Sequence, residues 1–303
     1  MSGDDHDHKL IRQQNKSRLL TVLAITVTLM VAEIVVGLSC GSLALVADAG
    51  HMASDVGGII LALIAIWFAQ KAATRDKTYG YYRSEILAGL INSVALLGIA
   101  VFILVEAWQR FHSPPEVNSV PVLVVAVLGL GLNFLSLSII SKGSEKSINM
   151  RAAYLEIFSD MLGLVAVVVS SIIILTTGWY LADPILSALI ALMILPRTWK
   201  LLSECTHILM EGSPGHINLA DLDTAISTIE GVEDIHDLHV WTLTSDHHAM
   251  SAHVTISNKA DAAEVLSRVS QMVEESFGLS HTTIQVETTD HHKNGKGSCG
   301  GKA

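Results

Sequence analysis

The sequence predicts a polytopic α-helical membrane protein with six transmembrane helices, joined to a C-terminal ferredoxin-like α/β domain of order α-β-β-α-β. Three observations carry this. Half of the 303 residues are hydrophobic and only 16% are charged, where a soluble chain carries about 25%. Six apolar stretches each reach the ~20 residues that a ~30 Å hydrocarbon core requires. The apolar mass then ends near residue 210, and the rest of the chain is polar, with alternating helical and strand periods.

The spans are expected at Leu19–Leu38, Leu43–Ala69, Ile86–Trp108, Val120–Ile140, Ala152–Thr176 and Leu181–Trp199. Residues 1–18 form a polar tail without the short apolar core and cleavage site of a signal peptide, so the first span is expected to serve as the insertion signal. The four domains expected are thus the tail (1–18), the six-helix domain (19–210), a C-terminal domain (211–288) and a disordered tail (289–303). In the C-terminal domain, Ile217–Glu230 reads as an amphipathic helix closed by Gly231. Val232–Thr244 and Ala249–Ser257 read as strands joined by the polar turn Ser245-Asp246-His247-His248. Ala260–Phe277 fits a second helix and His281–Thr288 a third strand. Residues 290–303 are rich in Gly, Lys and His and read as disordered.

Lys and Arg in the connections set the orientation. Lys9, Arg12, Lys16, Arg18, Lys71, Arg75, Lys77, Arg83, Lys142, Lys146, Arg151, Arg197 and Lys200 fall on one side, and Arg110 alone on the other. Both termini are therefore expected in the cytoplasm of a bacterial inner membrane. The net charge of −10, with no basic patch interleaved with aromatics, excludes nucleic acid as a partner. Without a Gly-x-x-x-x-Gly-Lys-Ser/Thr loop, ATP is not expected as the direct energy source. Cys40, Cys205 and Cys299 have no Cys-x-x-Cys spacing, so neither a disulfide framework nor a thiolate zinc site is indicated.

Two polar stretches interrupt the apolar sequence. His51-Met52-Ala53-Ser54-Asp55 and Glu156-Ile157-Phe158-Ser159-Asp160 each place two metal-ligand side chains four apart, on one helix face. A charged residue at membrane depth costs roughly 2.5–3.5 kcal/mol on insertion scales, so four together call for a partner. A divalent cation held by His51, Asp55, Glu156 and Asp160 would be one, and mixed nitrogen and oxygen ligation suits zinc. Because ligands bind metal deprotonated, the same residues let protons compete with the ion, with His51 the group that titrates near neutrality. Asp48, one turn before His51, is a possible accessory that guides the ion or is simply hydrated. Glu33, Asn92 and Asn133 are expected to bridge helices by hydrogen bonds, and Asp183, before Pro184, to cap the sixth helix. In the C-terminal domain His236, His253 and Glu287 fall on three strands whose pairing can bring them together. The bland alternative is that His236 and His239 flank a packed Trp241 strand. His281 is a weaker member, and His247 and His248 read as solvent-facing turn residues. His6, His8, His291 and His292 either capture metal loosely or belong to solvated tails.

Here the chain resembles a family. Val46-Ala47-Asp48-Ala49-Gly50-His51-Met52-Ala53-Ser54-Asp55 looks like the second-helix signature of the cation diffusion facilitators, in their zinc-cadmium-cobalt subgroup. Tyr79-Gly80-Tyr81-Tyr82-Arg83-Ser84-Glu85, Ala152-Ala153-Tyr154-Leu155, Asp183-Pro184, His236-Asp237-Leu238-His239-Val240-Trp241 and Thr283-Ile284-Gln285-Val286-Glu287 agree, in order, from about residue 17 to 288. The resemblance implies a homodimer that exports zinc and related divalent ions in exchange for protons. It implies a transport site from pairs on the second and fifth helices, and a cytoplasmic, regulatory zinc site at His236, His253 and Glu287. Its zinc-transporting pattern has His where this chain has Glu156. Three carboxylates and one imidazole make a harder site, which either broadens selectivity toward cadmium or cobalt, alters the proton count, or leaves Glu156 a weak ligand.

The expected function is thus a proton-coupled antiporter exporting zinc, not an enzyme. The same fold with manganese or iron as substrate is the nearest alternative, and His51 argues against manganese. An intramembrane metallohydrolase lacks a His-Glu-x-x-His and an open metal position. A metal sensor that does not transport would not need carboxylates at membrane depth.

Overall fold

The computed structural model describes residues 3–144, 148–244 and 247–288, with side chains at 20–141, 154–244 and 247–288. Six long helices come first: α1 (Gly3–Cys40), α2 (Leu43–Ala69), α3 (Ser84–His112), α4 (Ser119–Ser144), α5 (Ile148–Thr177) and α6 (Ala182–Leu209). Each contains a segment long and apolar enough to cross a membrane. Several outrun the predicted spans: α6 continues from Trp199 to Leu209, and α1 is helical from Gly3. Hydropathy marks where lipid ends, whereas a helix needs no lipid to keep its backbone bonds. Expectations for 289–303, for Cys299 and for the side chains of His6, His8, His291 and His292 lie outside the described residues.

The chain divides into two compact units, Met1–Ala62 with Ile91–Leu202, and Leu63–Leu90 with Ser203–Ala303. In the first, α4 packs on α5 and α1 on α4, around Leu29, Leu45, Met52, Ile103 and Leu164. Phe102, Trp108, Leu128 and Phe134 point outward and are exposed, the outside expected of a bundle whose solvent is lipid.

Asp183 is buried in the first turn of α6, but the reading of it as that helix's own cap is corrected: its carboxylate caps α2. It accepts from Ser42 Oγ at 2.7 Å, from the Leu43 N–H at 2.7 Å and from the Ala44 N–H at 3.3 Å. The first N–H groups of any helix lack intrahelical partners, and their dipole favours an anion. Arg110 of α3 sits 3.8 Å from the same carboxylate and donates to the Gly41 carbonyl. This knot sets the height of α2, and hence of His51 and Asp55.

The second unit carries α7 (Leu219–Ser227), β1 (Val232–Thr244), β2 (His247–Ile256), α8 (Ala262–Phe277) and β3 (His281–Thr288). The sheet order is β1-β2-β3, with β1 antiparallel and β3 parallel to β2. Leu222, Ile226, Met250, Val254, Val265 and Val273 fill the space between helices and sheet. Helix α7 is shorter than Ile217–Glu230 because Asn218 caps it and Thr228 ends it. Helix α8 starts after Asp261, whose carboxylate accepts from the Ala263 and Glu264 N–H groups, and stops at Gly278, which takes the left-handed φ of 69°. β2 begins at His247, paired with Thr244, so His247 and His248 belong to a strand rather than to the expected turn. In the same unit the segment between α2 and α3, with the first turn of α3, lies against the sheet: Thr244 Oγ1 donates to Glu85 Oε2, and Tyr79 and Tyr82 meet His281 and His247 ring to ring.

Candidate functional site

The four-residue spacing on α2 brings the His51 and Asp55 side chains to one face, with His51 Nε2 3.6 Å from Asp55 Oδ2. Asp160 of α5 approaches the same nitrogen at 3.9 Å. Glu156 lies one turn away from Asp160 on α5. One ligand atom from each of His51, Asp55, Glu156 and Asp160 can be chosen so that all lie within 4.8 Å of one another. Two helices thus converge four donors on a space of metal-ion dimensions.

The surroundings suit a cation. His51 Nδ1, Asp55 Oδ2 and Asp160 Oδ1 are buried with no hydrogen-bond partner among the described residues. A buried carboxylate oxygen left unmatched is expensive, and a bound cation is the standard remedy. Glu156 differs from the other three. Both of its oxygens accept from Arg197 of α6, at 3.0 Å and 2.7 Å. Sequence reasoning counted Arg197 only toward the loop charges. The signal was present, since it lies inside the predicted span Leu181–Trp199, where an arginine needs a partner.

Asp48 is not part of the quartet, and it is not hydrated either: it is 2% exposed. A Cβ on Gly163 of α5 would stand 2.0 Å from Asp48 Oδ1, so the missing side chain there is what admits the carboxylate. Asn92 bridges helices as expected, accepting from Ser54 Oγ of α2 at 3.3 Å. Glu33 does not: it is fully buried and neither oxygen has a hydrogen-bond partner among the described residues. It lies instead in electrostatic range of Asp48 and Asp160. Asn133 is also buried, with an Nδ2 that has no hydrogen-bond partner among the described residues.

The C-terminal sheet makes a second cluster. His236 and His253 are a direct cross-strand pair, with ring centroids 5.1 Å apart. Glu287 of β3 lies 2.8 Å from His253 Nδ1 and 3.6 Å from His236 Nε2. One ligand atom from each lies within 4.8 Å of the others. Between His236↔His253 and His239↔Ser251 β1 has one residue more than β2, a bulge at which Asp237 takes φ 49°. Because His253 and Ser251 share one face of β2, the extra residue brings His239 onto the same face as His236, one paired position along the ladder, where it is exposed and lies outside the ligand cluster. His281 contacts Tyr79, and His248 contacts His216 and Thr242; none joins the cluster. Burial pushes the Glu287 carboxyl up, but hydrogen bonds from Gln285 and His253 and the charge of the two imidazoles outweigh it and hold the group below its ordinary range. Gln285, which donates to Glu287 Oε1 at 2.7 Å, was not anticipated. Two imidazoles and a carboxylate are donors that zinc accepts, and three ligands leave one position of a tetrahedron open.

A bundle of six apolar helices with ionisable groups converging inside it defines an integral, multi-pass protein of the metal-cation transporter class. Residues 19–210 match the cation efflux transmembrane domain, and residues 214–289 the cytoplasmic domain of cation efflux proteins. The chain belongs to the cation efflux family, and the resemblance stated from its motifs holds. It is 42% identical over 287 residues to the metal cation efflux system protein CzcD of Cupriavidus metallidurans, covering 94% of this chain and 90% of that protein. A cadmium, cobalt and zinc/H(+)-K(+) antiporter of Bacillus subtilis is 38% identical over 95% of this chain and 93% of its own length. The zinc transporter ZitB of Pectobacterium atrosepticum is 39% identical over 93% and 88%.

Proposed function

We propose that this protein is a proton-coupled antiporter that exports zinc, and also cadmium and cobalt, from the cytoplasm. The quartet His51, Asp55, Glu156 and Asp160 is its transport site. The observation that carries this is four ligand atoms from two apolar helices within 4.8 Å of one another, three of those residues holding buried polar atoms with no hydrogen-bond partner among the described residues. The names of the relatives support the choice of ions and the coupling to protons. Asp48 is an accessory group beside the quartet. His236, His253 and Glu287 form a regulatory zinc site, and the C-terminal domain pairs two copies into a homodimer. The protein sits in the inner membrane with both termini cytoplasmic, as the loop charges favour.

The coupling follows from competition for the ligands. An ion entering from the cytoplasm binds when His51 is neutral and the carboxylates are ionised. Once the site opens to the opposite side, where protons are more abundant, protonation of the same atoms ejects the ion. The returning site carries protons, so the gradient drives export.

Everted membrane vesicles test this. With an acid interior, zinc uptake should be rapid in wild type and lost on adding a protonophore. His51→Ala and Asp160→Ala should each cut uptake by about 100-fold or more, since even indirect support of a metal ligand is worth 10- to 100-fold. Zinc uptake that ignores ΔpH, or that survives either substitution, overturns the proposal.

A further inference from the structure

Among the described residues, Glu156 is the quartet member that holds a counter-charge from an arginine. Arg197 Nη1 donates to Oε1 at 3.0 Å and Nη2 to Oε2 at 2.7 Å. Such a planar fork-to-fork pair is the strongest geometry an exposed ion pair adopts. Among the described residues no other Lys or Arg forms an ion pair with the quartet. The pair spans two helices, α5 and α6, and is only partly covered: the Glu156 side chain is 30% exposed and that of Arg197 60%, against 7% for Asp160. Pro196, inside α6, directly precedes the arginine. Proline has no N–H to give the carbonyl four residues earlier, so α6 lacks one rung of its ladder beside the guanidinium. A long stem at an exposed site next to a weakened turn can swing away without opening the core.

A dication that uses a Glu156 oxygen must either expel this guanidinium or lie beside a fixed positive charge. Both lower its net affinity. We propose that Arg197 is a tethered cation that competes with the transported ion for Glu156 and thereby sets the affinity of the quartet. A histidine at position 156 would offer Arg197 no anion and would escape this control. The inference rests on reading the quartet as the transport site, and it makes Glu156 a ligand that the chain itself can withhold.

The test is calorimetric titration of the full-length protein in detergent with zinc at fixed pH, with every sample carrying His253→Ala so that the C-terminal cluster contributes nothing. Arg197→Gln should tighten zinc binding by about tenfold, and Arg197→Lys, a point charge without the fork, by less. In a Glu156→His background, Arg197→Gln should change Kd by under about twofold. Unchanged or weaker binding in Arg197→Gln, or an equal change in both backgrounds, overturns the competition. Should Arg197→Gln not elute as folded protein, Arg197→Lys in the two backgrounds makes the same comparison. His51→Ala tests the underlying reading by itself: undiminished affinity there sinks the quartet, whereas lost affinity there with no gain in Arg197→Gln sinks only the role of Arg197.

Discussion

At the scale of single residues, two positions translate geometry into measurable chemistry. Gly163 matters for what it lacks. A methyl group there would sit 2.0 Å from Asp48 Oδ1, and a buried carboxylate has nowhere neutral to go. Gly163→Ala is expected to destabilise the protein by about 1–3 kcal/mol, as overpacking of a buried contact does, and to slow zinc transport by displacing Asp48. Thermal unfolding in detergent and vesicle uptake check both parts; a variant with wild-type midpoint and rate would show that Asp48 yields freely. Glu287 is the second. Its carboxyl is held below the ordinary range despite its burial, so its contacts stabilise the folded form above the unfolded-state value, ~4.3. That contribution is lost as pH falls through the lower folded-state value. With chelator present, Glu287→Gln should lower the melting temperature of the C-terminal domain at pH 7, and the gap to wild type should close in strong acid. A gap that stays constant down to strong acid would mean that packing, not charge, is what the substitution removes.

At the scale of elements, the knot at the start of α2 is the clearest device. A helix entering lipid cannot leave its first N–H groups to water, and α2 borrows its cap from α6. Asp183→Ala would orphan the Leu43 and Ala44 N–H groups and the Ser42 hydroxyl together, and leave Arg110 with Glu106 and the Gly41 carbonyl as its partners. Breaking a buried charged network of this kind costs about 3–5 kcal/mol. Asp183→Asn keeps an acceptor oxygen and should lose clearly less. Unfolding midpoints of the two variants, measured side by side, decide it; equal losses would point to the charge alone. The bulge at Asp237 plays a comparable part in the sheet, since one added residue lets His236 pair with His253 and His239 with Ser251 on the same face.

At the scale of the whole molecule, the C-terminal domain is expected to pair two copies of the chain. Light scattering of the purified protein should give a dimer, and residues 1–210 expressed alone should show a weaker association. A truncated protein that dimerises as tightly as the full chain would move the interface into the helices.

Much of this protein was legible in its sequence because the signals were local. Membrane spans follow from runs of apolar residues, the α-β-β-α-β order from hydrophobic periods, and the His51/Asp55 and Glu156/Asp160 pairs from the 3.6-residue turn of a helix. Helix ends were less legible, because caps such as Asn218 and Asp261 act through side-chain geometry rather than hydropathy. What only the tertiary structure decided are pairings between residues far apart in the chain. Asp183 caps a helix whose first residues lie 140 positions earlier. Gly163 makes room for Asp48, and Arg197 holds Glu156 across 41 positions. No local pattern encodes which helices become neighbours, because that choice is made by the packing of all six together. The candidate ligands were written in the spacing of the chain, and the arginine that pairs with one of them was placed there by the fold.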